Sequence, residues 1–384
     1  MAFPFKRAPA ALIALLLSAC ASIGQVDHRA TTMNESVSAA QNRATLLNLV
    51  RASRSEPLYF MSLNQIGSSA FTDMKLGLPA VSFGPNLSAA SKIYTFGASA
   101  SNMLDNQTST NFQMGVLSSR DFYSGLMSPV SLADVDLLLH QGFSRELVFY
   151  LVIDRIKITA DGGEPAVIFN DPTDSRSFPL FEQYVREAMV HGLSTQSFLA
   201  PDDLAGPSTG GRPKLTPHAE LCYERALATT EAKLDFPNAE GSCGHKPSVR
   251  AAGDAGGAEL EVLLHGRRLK LEVTTRSVFG IFYYLGNVVA HHDEEGLRLR
   301  RYDLPAENTE EGPLLRLLDQ PGAQMPGGAS GSCFTALDYE GRHYCVPSDG
   351  AENTKRIFSI LGALLALKQS PGDLPVTQTV RIAP

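Results

Sequence analysis

Apolar residues recur along the chain with two different periods, and these periods predict a mixture of helices and strands. Steps of three and four residues, which mark one face of a helix, predict helices over 35–53, 132–141, 145–153, 177–191, 218–234, 278–289 and 355–368. Short apolar or alternating runs between turn residues predict strands over 58–61, 155–159, 166–169, 259–264, 268–274, 297–302, 314–318, 334–337, 343–346 and 375–382. Serine or asparagine precedes several of the helices as an expected N-cap, namely Asn34, Ser131, Ser144, Ser277 and Asn353. Strands arranged in hairpins between helical blocks predict the α+β class rather than a doubly wound parallel sheet.

The most regular alternation of apolar and polar residues lies in residues 92–117. Residues 94–101 and 111–116 each place an apolar residue at every second position, and the polar segment 102–110 separates them. This pattern predicts an amphipathic β-hairpin. Each arm has about nine or ten residues, the length of a membrane-spanning strand. Two interpretations stay open: the hairpin packs on the chain's own core, or copies from several chains associate and close a shared barrel.

A segment rich in glycine, proline, serine and alanine divides the predicted elements. It covers residues 201–258 and encloses the predicted helix 218–234. We therefore expect an N-terminal α+β region over 34–200, an insertion with one helix over 201–258, and a C-terminal α+β region over 259–384. The expected architecture is two subdomains separated by the insertion.

The first twenty residues have the three parts of a secretory signal. Two basic residues, Lys6 and Arg7, precede an apolar run too short to span a bilayer, and the run ends at Leu17-Ser18-Ala19-Cys20. These last four residues are similar to the lipobox of bacterial lipoproteins. The resemblance implies that residues 1–19 are a signal peptide, that Cys20 is acylated (palmitate included), and that 20–33 is a lipidated tether. Since residue 21 is alanine rather than aspartate, the resemblance implies the outer membrane, with its lipid as the partner.

The charge of the chain argues against one class of partner. The 384 residues include 33 Lys and Arg against 40 Asp and Glu, which gives a net charge of −7, and no dense basic block is present. Because nucleic-acid binding depends on clustered positive charge, we expect no nucleic-acid partner.

The cysteine count is odd, and the lipobox accounts for the odd one. Apart from Cys20, the chain has Cys222, Cys243, Cys333 and Cys345. An even number in an oxidising compartment predicts two disulfides, although four cysteines permit three pairings. The spacing favours Cys222–Cys243 and Cys333–Cys345. Metal binding is the rival interpretation, but no Cys-x-x-Cys pair is present.

The sequence offers few candidates for catalysis or metal binding. His291 and His292 precede three acidic residues, but adjacent side chains on a helix diverge by about 100° and do not readily face one ion. We interpret them as the polar end of a helix. His343, near Cys345, has no companion at ligand spacing. The segment 328–332 lacks the spacing and context of a nucleophile elbow. No catalytic residue, metal or cofactor is predicted.

A second resemblance comes from segments 46–60, 277–286 and 355–380. They are similar to a group of uncharacterised lipoproteins of Gram-negative bacteria, and this resemblance implies architecture and compartment only. Within the first segment, we expect Arg51 and Arg54 to cap the helix or to form ion pairs.

Two functional hypotheses follow from these observations. The first is a lipid-anchored, non-enzymatic structural or assembly component of the outer membrane, facing the periplasm or the cell surface. The alternative is a periplasmic hydrolase or ligand-binding lipoprotein with a cleft between the two halves. We prefer the first because no catalytic pattern is present, while enzymatic activity stays an open question.

Overall fold

The structure is a computed structural model that describes residues 8–72, 106–117, 119–160, 163–201, 215–229, 242–244, 257–264, 267–291, 298–299, 312–321 and 333–369. Its helices within these ranges are α1 Ala8–Ser53, α2 Arg120–Met127, α3 Leu132–His140, α4 Arg145–Val152, α5 Phe178–Val190, α6 Val278–His291 and α7 Glu352–Lys368. Its strands are β1 Met61–Thr72, β2 Asn106–Val116, β3 Ile153–Ala160, β4 Ala166–Phe169, β5 Leu193–Pro201, β6 Leu215–Tyr223, β7 Gly257–Leu264, β8 Arg267–Thr275, β9 Arg298–Leu299, β10 Gly312–Pro313, β11 Leu318–Pro321, β12 Cys333–Tyr339 and β13 Arg342–Pro347.

The largest sheet among the described residues joins the predicted N-terminal and C-terminal regions. Its strand order is β4-β3-β8-β7, and every neighbouring pair is antiparallel. β3 comes from the predicted N-terminal region and β8 from the predicted C-terminal region, so the two regions share one sheet. They also share one hydrophobic core, which extends from Leu46 to Leu364. The α+β class is confirmed, whereas the division into two subdomains is not.

Helices from both ends of the chain close over this core. The last two turns of α1 bury Leu46, Leu49 and Val50 against α6 and α7. The approach to α6 is close because Gly286 has no side chain: a Cβ there would lie 2.6 Å from the backbone carbon of Ala52. The three helices contain most of segments 46–60, 277–286 and 355–380, so the segments that share the lipoprotein resemblance meet in space.

The remaining strands form small antiparallel sheets. β11, β13 and β12 make a three-stranded sheet beside α1, and a turn at Glu340 and Gly341, both with positive φ, joins the last two strands. β5 pairs with β6, and this ribbon packs on α3. β1 pairs with β2, and β9 with β10.

Only the second arm of the predicted hairpin over 92–117 falls within the described residues, so the hairpin stays a prediction. Its second arm forms β2, but β2 begins at Asn106, inside the predicted turn, and pairs with β1 in a register that sets Met61 opposite Val116. Residues 92–105 lie outside the described residues. The alternating pattern identified a strand correctly, but alternation alone does not select the partner strand.

Three predictions were wrong in the N-terminal and middle parts of the chain. Asn34 is not an N-cap, because α1 continues through the predicted tether 20–33, which contains no proline. The predicted strand 58–61 begins only at Met61, since the Asn48 side chain binds both backbone groups of Tyr59. The described part of the predicted helix 218–234 is strand up to Tyr223, because tertiary pairing with β5 overrides the local pattern.

Two C-terminal boundaries also differ. Asn353 does not cap α7, which begins at Glu352, because its side chain donates to the carbonyl of Pro313. The predicted strand 314–318 begins only at Leu318; Leu314 is in the core, and the N–H of Arg316 donates to Thr354 Oγ1. The strands predicted at 375–382 and over most of 297–302 lie outside the described residues.

Candidate functional site

A cavity of about 350 Å³ lies where both halves of the chain meet. Its lining combines the end of α3, the start of α4, the first residues of β5, the turn after β6, and α7. Among the lining residues are His140, Phe143, Arg145, Thr195, Leu227 and Arg356. Most of the lining comes from residues 139–195, and Leu227 and Arg356 complete it from later in the chain.

The sequence between α3 and α4 shapes one wall of the cavity. Ser131 and Asp134 form a reciprocal capping box that starts α3. Gly142 has φ of +85°, a left-handed conformation that ends the helix and that most residues avoid. Ser144 then caps α4 by accepting from the N–H of Leu147 at 3.3 Å. The chain therefore turns sharply, and it brings the first turn of α4 to the cavity.

A buried carboxylate fixes β5 on α3. Asp136 accepts hydrogen bonds from Thr195 Oγ1 at 2.7 Å and from Ser197 Oγ at 2.5 Å. The His140 ring lies beside it, with Nδ1 3.6 Å from Asp136 Oδ1, but that side chain is 74% exposed. In a nucleophilic triad the histidine stands between carboxylate and hydroxyl. Here both hydroxyls donate directly to Asp136, so the cluster positions a strand rather than activating a nucleophile.

One arginine gives the cavity its chemical character, Arg356, because Nε and Nη2 of Arg145 each expose less than 1 Å². Arg145 is buried and donates from Nη1 to the carbonyl of Leu193 at 3.0 Å, while Arg356 reaches the cavity from α7. Leu139, Phe143 and Leu227 supply apolar wall. Because guanidinium groups recognise carboxylates and phosphates, this lining suits a small molecule with an anionic head and an apolar body.

The opposite end of α4 carries a second buried arginine with a purely structural environment. Arg276 Nη1 donates to the carbonyls of Tyr150 and Leu151 at 3.4 and 3.2 Å, and its guanidinium lies 3.9 Å from the ring centre of Tyr284. Asn170 Nδ2 donates to Tyr150 O and Ile153 O, each at 2.8 Å. Burial lowers the pKa of Arg276 and raises the pKa of Tyr284. Arg276 and Asn170 thus bind the carbonyls at the C-terminus of α4, and the negative end of the helix dipole favours the Arg276 cation there.

Both predicted disulfides are present. Cys222 is bonded to Cys243, and Cys333 to Cys345, with Cα–Cα distances of 5.0 and 5.7 Å. The first ties the end of β6 to residues 242–244, and the second joins β12 to β13. The prediction from cysteine spacing is therefore confirmed.

Of the histidines singled out in the sequence, the two that the structure describes, His291 and His343, have different partners. His291 is the last residue of α6, exposed, with Nδ1 3.0 Å from the carbonyl of Asn287; His292 lies outside the described residues. His343 pairs across β12 and β13 with Asp338, at 2.6 Å. Among the described residues, no group of three or more His, Cys, Asp or Glu is arranged to hold a metal ion. The segment 328–332 also lies outside them.

Of the two arginines at the end of α1, Arg54 forms ion pairs as expected, whereas the described contact of Arg51 is with an aromatic ring. Arg54 pairs with Glu340 and lies 3.4 Å from Glu56, whose carboxylate also accepts from the Tyr339 hydroxyl. The Arg51 guanidinium lies 5.1 Å from the ring centre of Tyr59. This cluster joins the exit of α1 to the turn between β12 and β13.

Sequence reasoning did not find the cavity residues. Only the Ser144 cap was visible in the sequence, and it did not indicate that Arg145, Thr195 and Arg356 meet. Within the described residues, no helix combines the length and the apolar character needed to cross a membrane. Comparison of the chain with protein-family models, with curated proteins and with solved structures finds no match.

Proposed function

We propose that this protein is a lipid-anchored, non-enzymatic structural or assembly component of the outer membrane. The observation that carries the proposal is the N-terminal sequence, with Lys6 and Arg7, an apolar run and the lipobox that ends in Cys20. Both disulfides support the same compartment, because disulfides persist in oxidising environments such as the periplasm.

The position of Cys20 in the fold suits an anchor. α1 has its first buried residue, among those whose burial is described, at Leu46, and residues 31–45 are exposed or half-buried. At 1.5 Å per residue, the helix from residue 20 to residue 45 spans about 39 Å. Acyl chains on Cys20 would therefore hold the body at the end of a helical stalk. Several acyl chains on one cysteine give a stable anchor, because each buried methylene contributes about 0.8 kcal/mol.

Metabolic labelling with palmitate tests the anchor. We expect the wild-type chain to carry the label and to sediment with the outer membrane, and Cys20→Ala to carry none. The matched control is the double variant Cys333→Ser/Cys345→Ser, which removes two other cysteines and keeps the label. An unlabelled wild-type chain, or a labelled Cys20→Ala chain, contradicts the anchor.

Ligand binding is a second candidate function, and the cavity between the two halves favours it. The lining offers Arg356 beside apolar wall, whereas the Asp136 cluster lacks the order of a catalytic triad. The binding form of the alternative hypothesis is therefore preferred to the hydrolase. Its ligand is a small amphiphile with a carboxylate or phosphate head.

Octanoate is a suitable probe for this cavity. We expect octanoate to bind in calorimetric titration, octanol to bind at least tenfold more weakly, and Arg356→Gln to lose about tenfold in affinity for octanoate, as expected for one charged contact. Arg155→Gln, an exposed arginine on β3, is the control that leaves binding unchanged. Equal binding of octanol, or of the Arg356 variant, contradicts an anion site in this cavity.

A further inference from the structure

The lining of the cavity includes a group whose charge depends on pH near neutrality, the imidazole of His140. His140 is the last residue of α3, and its side chain is 74% exposed at the cavity. An imidazole changes its charge between about pH 5 and pH 8, whereas the guanidinium of Arg356 stays charged throughout this range. The charge that the cavity presents to a ligand therefore depends on the state of His140.

The backbone of α3 determines which ring nitrogen of His140 remains for a ligand. Nδ1 lies 2.8 Å from the carbonyl oxygen of Asp136, one turn earlier on the helix. Because a carbonyl oxygen only accepts, Nδ1 is the donor of this hydrogen bond and carries a hydrogen. In the neutral ring Nε2 is then an acceptor, which cannot bind the oxygen of a carboxylate or phosphate. Protonation adds a hydrogen at Nε2 and makes it a charged donor.

The charged groups around His140 give its protonation a consequence for an anion. On its own helix, the Asp136 carboxylate lies 3.6 Å from Nδ1. The other charged residues of the lining are Arg145 on α4 and Arg356 on α7, while the lining residues from β5 and from the turn after β6 are uncharged. When the ring is neutral, the charge behind it is negative and repels an anionic head. A protonated ring offsets that charge on the side of the cavity that α3 forms.

We propose that His140 is an anion-binding residue of this cavity that acts only when its ring is protonated. Nε2 of His140 then joins Arg356 at the carboxylate or phosphate head, and the affinity for the ligand rises as the pH falls. The inference rests on the second candidate function, ligand binding, and adds its regulation by pH. Because the ring is largely exposed, water screens the contact, so the protonated form should bind the ligand about fivefold more tightly than the neutral form.

Calorimetric titration of the full chain with octanoate at about pH 6 and about pH 8 tests this role. An aliphatic carboxylate stays ionised at both values, so a change in affinity reports on the protein. We expect octanoate to bind about threefold more tightly at the lower pH, where more of the rings are protonated. His140→Gln should have the same affinity at both values, and His140→Arg, with a permanent charge, should bind at the higher pH as the wild type does at the lower.

Proton uptake gives a second measurement of the same role. If the ligand binds the protonated ring more tightly, binding near neutral pH takes up a fraction of a proton from the buffer. The heat of binding should therefore depend on the ionisation enthalpy of the buffer, and His140→Gln should remove this dependence. His291→Gln is the matched control, because His291 is exposed at the end of α6 and does not line the cavity. It should keep the wild-type behaviour.

The outcomes separate this inference from ligand binding itself. If the wild type binds octanoate equally well at both pH values, or if His140→Gln keeps the pH dependence, the role of His140 is overturned while ligand binding stands. If octanoate binds at neither pH, the ligand-binding function is contradicted, and the inference fails with it. The variants remain interpretable because His140 is exposed, and substitutions at exposed positions leave the fold nearly unchanged in stability.

Discussion

Residues 46–53 and residues 31–41 belong to one uninterrupted helix, α1, but they have different surroundings. The first group buries Leu46, Leu49, Val50 and Ala52 against α6, while the second contains no buried residue. The backbone is the same, so the difference lies in the apolar pattern. Residues 46–53 contain four large apolar residues, Leu46, Leu47, Leu49 and Val50, whereas residues 31–41 contain two, Met33 and Val37. The density of large apolar side chains thus distinguishes the part of the helix that completes the core from the part that does not.

The largest expected effect is a loss of stability when the contact between residues 46–53 of α1 and α6 is disrupted. Gly286→Val introduces atoms at the place where α6 touches α1, because a Cβ at this position lies 2.6 Å from the backbone carbon of Ala52 and 2.7 Å from the N of Ser53. Backbone atoms cannot move aside as the end of a flexible side chain can. We therefore expect a loss of about 3 kcal/mol in the free energy of unfolding, measured with urea. Gly362→Ala in α7, where a Cβ meets nothing within 4 Å, is the control. Equal midpoints for the two variants would disprove the close approach.

The next effect tests how the buried half of α1 holds the segment that follows it. Asn48 is 3% exposed; its Nδ2 donates to the carbonyl of Tyr59 at 2.8 Å, and its Oδ1 accepts from the N–H of Tyr59 at 3.1 Å. Asn48→Ala leaves both backbone groups without these bonds, and we expect a loss of about 2 kcal/mol in thermal unfolding. The matched change in the exposed half, Gln41→Ala, should change the free energy of unfolding by no more than a few tenths of a kcal/mol. A loss of similar size in both variants would remove the distinction between the halves.

The same comparison shows which parts of the molecule sequence reasoning reached. Ser131 and Ser144 mark helix starts by local chemistry, and α3 and α4, which follow them, were predicted closely. The cysteine pairs were also predictable, since each pair is near in sequence. The partner of β2 was not, because alternation fixes a strand face and not its neighbour.

The cavity was beyond sequence reasoning for a related reason. Arg145, Thr195 and Arg356 are distant in sequence and meet only through the packing of α3, α4, β5 and α7. None of the three belongs to a recognisable motif. Only the tertiary arrangement brings the three residues to one cavity.

A smaller effect is expected where α1 ends. The Tyr339 hydroxyl donates to Glu56, and Arg54 pairs with Glu340, so the exit of the helix is joined to the turn between β12 and β13. Tyr339→Phe removes one hydrogen bond to a partly exposed carboxylate, and we expect a loss of about 1 kcal/mol in urea unfolding. Tyr59→Phe, at a side chain that is 55% exposed, is the control without effect. If Tyr339→Phe is as stable as the wild type, the polar cluster does not hold the end of α1.

The smallest effect on the body is expected at Val37, and it defines the comparison most sharply. Val37 is half-buried and does not belong to the described core, so for Val37→Gln the free energy of unfolding should differ from the wild-type value by less than about 0.5 kcal/mol. Leu49→Gln makes a matched change on the same helix at a position 1% exposed, and it should cost about 2 kcal/mol because it buries an amide among apolar side chains. Thermal unfolding of the two variants gives the contrast directly. A loss above about 1 kcal/mol for Val37→Gln would mean that this part of α1 also packs on the body of its own chain, and the contrast between the two halves would be lost.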